Sequence, residues 1–310
     1  MGIAKSFRGF PLGFGGGSVS GEGGGYGFGD INDKQAQALL HHAFEKGFRL
    51  FDTAPIYGFG LSEIRIGKAF KHMREQVYIV SKSGIAWDGD KRVDICNSPQ
   101  TTKKMLEQSL RDLDSDYIDL YMVHWPDPRV DIRRPLEVYA KALQAGKIRQ
   151  AGLCNTNPQD LKKAREIVEI HAVQSEYHLL RRDTLDDLRQ SLAGEEISFM
   201  SWGTLDKGIL TGRVDEDRKF DPVDCRSHAP WWKRKDVLAK VEKIKELEGF
   251  LQEHDTDKLR LALAHNLQQE NLDIALCGVS SKEQIDGLVT ALDGLPAAQV
   301  VSSAVKMLET

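Results

Sequence analysis

The 310-residue chain is 41% apolar and 28% charged, enough for a sizeable core under a solvated surface. Its net charge of −4 argues against the basic face that a nucleic-acid partner requires. No apolar run approaches the roughly 20 residues that cross a bilayer, and the opening MGIAKSFRGF lacks the apolar core of a secretory signal, so a cytoplasmic protein with no membrane partner is expected.

Short runs rich in β-branched and aromatic residues alternate with longer stretches of helical period. FPLGF (10–14) reads as the first strand and merges into the glycine-rich LGFGGGSVSGEGGGYGFGD (12–30). No apolar helix directly follows to receive a pyrophosphate, so these glycines are a weak dinucleotide signal. The run reads as a flexible lid or hairpin over a pocket mouth, with Tyr26 and Phe28 as walls. A helix over 33–47, stopped by Gly47, precedes the strand FRLFD (48–52). Helix 61–73 leads to the strand VYIVSK (77–82). Helix 98–113, capped by Ser98 with Pro99 just inside, leads to YIDLYMVH (117–124). Helices over 134–145, 158–169 and 182–193 alternate with strands IRQAGLCN (148–155), AVQSEY (172–177) and ISFMSW (197–202). The irregular stretch 205–232 is too long for a plain connection and reads as a functional loop. Helices 233–253 and 256–270, the strand DIALCG (273–278) and helix 281–292 complete the pattern. The mixed charges of 233–249 suit a solvated helix face.

Several strands are apolar at successive positions, as in parallel strands covered on both faces. Eight β–α alternations without linker or repeat predict an α/β chain folded as a single (β/α)8 TIM barrel over 1–310, with a long loop after the seventh strand. A doubly wound open sheet stays open on pattern alone. Cys96, Cys154, Cys225 and Cys277 form no CxxC pair and read as reduced thiols, and no metal is expected.

In a barrel of this kind reactive side chains project from the C-terminal ends of strands. Those ends carry Asp52, Lys82, His124, Asn155, Gln174 with Glu176, and Trp202. Each alone has an ordinary structural explanation. A lysine there is commonly a solvated head on a buried stem, and a lone histidine a satisfied core residue. Their convergence on one mouth is what suggests chemistry.

The segments GFRLFDTAPIYGFGLSE, VYIVSKSG, SLRDLDSDYIDLYMVHWPD, GLCNTN, QSEYHLL and CGVSSKEQI, in this order, make the chain resemble the aldo-keto reductase superfamily over essentially its whole length. The resemblance implies an NAD(P)H-dependent oxidoreductase acting on a small carbonyl substrate, with Asp52, Tyr57, Lys82 and His124 as catalytic positions. Tyr57 would be the general acid, its pKa lowered by a Lys82 ammonium that Asp52 keeps charged. His124 would orient the substrate oxygen. By the same resemblance Asn155 and Gln174 hold a nicotinamide carboxamide. Trp202 stands where the family usually has a stacking tyrosine. Leu205, Gly208, Leu210 and Gly212 follow the pyrophosphate, and Gly278, Ser280, Ser281, Lys282 and Gln284 the adenosine end. The family often has an arginine near the adenosine phosphate; two serines and a lysine stand here, so NADPH is preferred with NADH possible. Trp87, Trp125 and Trp231 are candidate substrate walls, with Tyr177, Phe220 and Trp232 beside them. Two other activities remain open on the resemblance: a sugar or alcohol dehydrogenase working oxidatively, and a nucleotide-binding regulatory protein like the family's channel-associated members.

Overall fold

The computed structural model describes Ile3, residues 10–21 and residues 27–309. In chain order the elements are β1 (Leu12–Gly15), α1 (Asp33–Glu45), β2 (Leu50–Asp52), α2 (Leu61–Phe70), β3 (Tyr78–Ser83), β4 (Ile85–Trp87), β5 (Val93–Ile95), α3 (Pro99–Asp112) and β6 (Ile118–Val123). Then come α4 (Arg133–Gln144), β7 (Ile148–Cys154), α5 (Pro158–Ala164), β8 (Ile170–Glu176), α6 (Asp183–Leu192) and β9 (Ser198–Trp202). The last are α7 (Arg234–Lys245), α8 (Glu248–Glu253), α9 (Lys258–Leu267), β10 (Leu272–Cys277), α10 (Lys282–Leu292) and α11 (Ala298–Met307).

The strands that read as apolar on both faces close in the order β1-β10-β9-β8-β7-β6-β3-β2, every neighbouring pair parallel. The chain is therefore a (β/α)8 barrel and not an open sheet. One set of side chains fills the interior: Leu50, Val80, Leu120, Met122, Cys154, Ala172, Met200, Ile274 and Leu276. Ile3 joins this set, and its N–H donates to Ser198 Oγ at 3.0 Å. The opposite set packs beneath the helices. Helix starts follow their cap residues: Asn32 and Gln35 form a reciprocal capping box, and Ser98 accepts from the Thr101 N–H ahead of Pro99.

The first strand, read at 10–14, forms as β1, and Gly13 lies where a Cβ would stand 2.6 Å from Leu276 and 2.8 Å from Leu50. The later part of the glycine-rich run meets the long loop: Phe28 bridges Asp224, and Gly27 O accepts from the Cys225 N–H at 2.9 Å. Tyr26 lies outside the described residues. An antiparallel hairpin, β4–β5, fills the connection after β3. Segment 233–253 divides into α7 and α8; α7 turns its charged face outward and buries Val237, Val241 and Ile244 on one stripe. Cys154, Cys225 and Cys277 are buried and Cys96 half-buried, all free thiols. No helix among the described residues is long and apolar enough to cross a membrane.

Between α2 and β3 lies a buried carboxyl that the helical pattern conceals. Glu63 is wholly inaccessible; Ser81 Oγ donates to Oε1 at 2.6 Å, while Oε2 has no hydrogen-bond partner. Burial pushes its pKa from the ordinary 4.5 up to about 7. Below about 4.5 both folded and unfolded chains hold this proton, and between the two values only the folded chain does. Stability from this group is thus full in acid and lost as pH rises through 7, by about 3 kcal/mol in all. Glu63→Gln should remove that slope. Urea midpoints of the variant, followed from pH 5 to pH 8, should gain on those of the parent as pH rises, and parallel curves would refute the assignment.

Candidate active site

Parallel register brings the ends of β2, β3, β6, β7, β8 and β9 to one rim. On β3, Ser81 and Ser83 face outward and Lys82 inward, so the lysine stem enters the barrel. Its ammonium is completely buried and donates to both Asp52 oxygens at 2.7 Å and to Thr53 O at 2.9 Å. Burial opposes its charge, yet Asp52 and Tyr57 outweigh that and raise the Lys82 pKa. Gln174 Nε2 donates at 2.8 Å to Asp52 Oδ2.

Tyr57 stands in the turn after β2, held by its N–H to Ala54 O at 3.0 Å. The Lys82 ammonium is 5.6 Å from the centre of the Tyr57 ring, and the His124 ring meets Tyr57 edge-on at 6.0 Å and 89°. The quartet Asp52, Tyr57, Lys82 and His124 therefore shares one hollow. Burial pushes Tyr57 up to about 12; the expected downward pull of the Lys82 ammonium is present but outweighed. Tyr57 is half-buried. His124 is held well below 6.5, first by burial and then by the Lys82 charge, so its imidazole is neutral at neutral pH.

Asn155 follows β7 in the left-handed region, φ 51°. Its Nδ2 donates to His124 O at 2.9 Å, and its Oδ1 accepts from Trp202 Nε1 at 3.0 Å. Asn155, Gln174, Trp202 and Gly278 lie at or near the C-terminal ends of four consecutive barrel strands, β7, β8, β9 and β10. Past Trp202, Gly208 (φ 105°) and Gly212 (φ 71°) present backbone without side chains. Leu210 is buried in a second apolar cluster, and Leu205 packs against it, so their side chains belong to the core. At the far end Gly278 is exposed, with its nearest Cβ neighbour 4.0 Å away. Ser281 caps α10, and Gln284 Oε1 accepts from the Ser280 N–H at 2.7 Å; Lys282 is exposed. An aromatic plate, an open glycine at position 278 and a capped helix start fit a dinucleotide.

Among the wall candidates, Trp231 (45% exposed) and Trp125 (39%) are open to solvent, and Trp87 packs on Phe59 at 5.2 Å, beside the turn that carries Tyr57. Phe220 and Trp232 meet edge-on at 5.7 Å within the long loop. Tyr177 is not a wall: it is buried and stacks on His265 at 5.4 Å.

Sequence reading passed over Lys207. Its ammonium lies 5.7 Å from the ring centres of both Trp202 and Trp231 and donates to Glu176 Oε1 at 2.6 Å. Next to it, Asp206 accepts from Lys240 Nζ at 2.7 Å, which ties the loop after β9 to α7. Glu176, His178 and Asp206 come close enough to suggest a metal site. Their chemistry argues otherwise. The Leu180 N–H occupies His178 Nδ1 at 3.2 Å, leaving the ring hydrogen on Nε2. Lys207, Arg181 and Lys240 already neutralise the carboxylates.

Residues 11–306 match the model of the Aldo/keto reductase family. Aldo-keto reductase YhdN of Bacillus subtilis (strain 168) is 33% identical over 270 residues, 86% of this chain and 81% of that protein. The NADH-specific methylglyoxal reductase of Escherichia coli (strain K12) is 30% identical over 278 residues, 86% of this chain and 85% of that protein. The solved glycerol dehydrogenase of Gluconobacter oxydans superposes with a TM-score of 0.83 at 26% identity, covering 96% of this chain and 90% of that one. The chain belongs to the aldo/keto reductase family of NAD(P)H-dependent carbonyl oxidoreductases.

Proposed function

We propose that this protein reduces a small aldehyde or ketone to the alcohol, with Tyr57 as the proton donor and NADPH preferred over NADH. The observation that carries the reading is the wholly buried Lys82, clamped by both Asp52 oxygens beneath the Tyr57 ring. A reduced nicotinamide bound against Trp202 supplies the hydride. Asn155, Gln174 and the Gly208–Gly212 backbone would hold it, with Ser280, Ser281 and Lys282 at the adenosine end.

As negative charge grows on the carbonyl oxygen, Tyr57 gives up its proton. An alkoxide is a stronger base than a phenolate, so the transfer runs downhill even from a phenol raised to about 12. The Lys82 ammonium stabilises the phenolate left behind, and Asp52 keeps that ammonium charged and aimed. Neutral His124 points a ring N–H at the same oxygen. Exposed Trp125 and Trp231 suit a small carbonyl compound entering from solvent. Methylglyoxal is the first probe, since a relative at 30% identity is named for its reduction.

The test is consumption of NADPH and of NADH in the presence of methylglyoxal and a panel of other aldehydes and ketones. The kcat/KM profile should be flat from about pH 6 to about pH 9, because neither Tyr57 nor His124 titrates there in the free protein. A limb near pH 6.5 would contradict the neutral His124. An absence of oxidation of either cofactor across the whole panel would favour a nucleotide-binding regulator.

A further inference from the structure

Trp202 is joined to the catalytic histidine by two hydrogen bonds in series. Its indole N–H donates to Asn155 Oδ1 at 3.0 Å, and Asn155 Nδ2 donates to His124 O at 2.9 Å. The His124 N–H then donates to Ser83 O at 2.8 Å. The polarity of this chain is not adjustable. An indole nitrogen only donates and a peptide oxygen only accepts, so the Asn155 amide has a single orientation. Gln174 is oriented in the same manner, because the Asp52 carboxylate that receives its Nε2 only accepts. Each amide keeps a defined remainder. Asn155 has one amide hydrogen left, and Gln174 has a second Nε2 hydrogen and Oε1, whose neighbour is the weakly donating Cys154 thiol at 3.7 Å.

Resting on the function proposed above, we infer that Trp202 is a positioning residue that acts through Asn155. Its N–H sets the amide so that the pocket meets a carboxamide with a hydrogen from Asn155 and an oxygen from Gln174. The same bond steadies the peptide that carries His124. A stacking ring alone would not achieve this: phenylalanine has no donor, and tyrosine carries its hydroxyl at the far end of the ring. In this chain the plate for the nicotinamide and the lock on the histidine are one residue, so seating of one ligand is felt by the group that receives the other. Asn155 has little slack with which to compensate, since its own backbone is in the left-handed region and its N–H donates to Gln174 O at 2.8 Å.

Trp202→Phe, Asn155→Gly and the double variant form a thermodynamic cycle, and glycine suits the φ of 51° at position 155. Three quantities are read: the Kd of NADPH by fluorescence titration, kcat with methylglyoxal, and the indole N–H resonances of the protein's 5 tryptophans without cofactor. Each single variant should lower kcat about tenfold, and the double variant also about tenfold rather than a hundredfold. Asn155→Gly should shift the one indole resonance that Trp202→Phe deletes. Asn155→Asp keeps the acceptor for Trp202 but loses the donor to His124, so it should leave that resonance near its place while kcat falls. This last variant decides the matter should Trp202→Phe fail to fold. Effects that multiply in the double variant, or an indole resonance indifferent to Asn155→Gly, would overturn the inference. If the unmodified protein oxidised no NADPH, the proposed function would fall, while the resonance shifts and the NADPH titration would still decide this one.

Discussion

Tyr57→Phe should bind NADPH as the parent does and turn over about 10²- to 10⁴-fold more slowly, the usual contribution of a positioned acid. That loss corresponds to about 3–5 kcal/mol of barrier. The variant keeps the ring that faces His124 at 6.0 Å and the one that the Lys82 ammonium approaches at 5.6 Å, so it removes a proton and little else. Single-turnover reduction of methylglyoxal, set beside an NADPH titration, separates chemistry from binding. A variant that reduces the aldehyde panel at the parental rate would remove Tyr57 from the acid's role. The depth of the loss also bears on His124. A residual rate above the lower end of that range would mean that the neutral imidazole N–H stabilises the oxyanion unaided.

Lys82→Met should be the most damaging change of all, in stability as well as turnover. Asp52 is 3% exposed and holds the ammonium at 2.7 Å through both oxygens; without it, Gln174 alone among the described residues remains as a side-chain donor. Removing one partner of a buried pair leaves a stranded charge and typically costs about 3–5 kcal/mol. The double change Lys82→Met with Asp52→Asn takes that charge away, so it should restore most of the stability and none of the turnover. Urea midpoints and NADPH oxidation, measured on the same samples, check both halves. Recovery of activity in the double variant would show that the pair is structural and the chemistry lies elsewhere.

Asp52, Lys82 and His124 were legible because parallel barrel strands write a plain code, whereas Tyr57, in the turn after β2, was reached through the family resemblance. Runs such as YIDLYMVH are mostly apolar until they reach the rim, where a polar residue has only the mouth to enter. The same code identified all eight barrel strands, the first read at 10–14 and formed at Leu12–Gly15, with boundaries good to a few residues. The β4–β5 hairpin was missed because both strands are three residues long and only half-covered. Tyr177 looked like a wall since it follows a strand, but His265 on α9 waits to stack on it, a contact made across 88 residues that no local pattern announces. The upward shift of Tyr57 was equally invisible, for its sign depends on how dry the hollow is against how near the ammonium lies. Lys207 was hidden by the irregularity of its loop, where it is one of five lysines and arginines between Trp202 and Trp231.

The glycine at position 16 sits just past β1, where an added methyl group would stand 2.6 Å from Asp52 O and 2.8 Å from Ser62 Oγ. Ser62 Oγ in turn accepts from Thr53 Oγ1 at 2.8 Å, and Thr53 O receives the Lys82 ammonium. Bulk introduced there would tilt the carboxylate that anchors Lys82, although position 16 lies thirty-six residues upstream of it. The seat of the buried lysine is thus shaped in part by a glycine far from it in sequence, and a screen of mutations confined to the polar rim would overlook it.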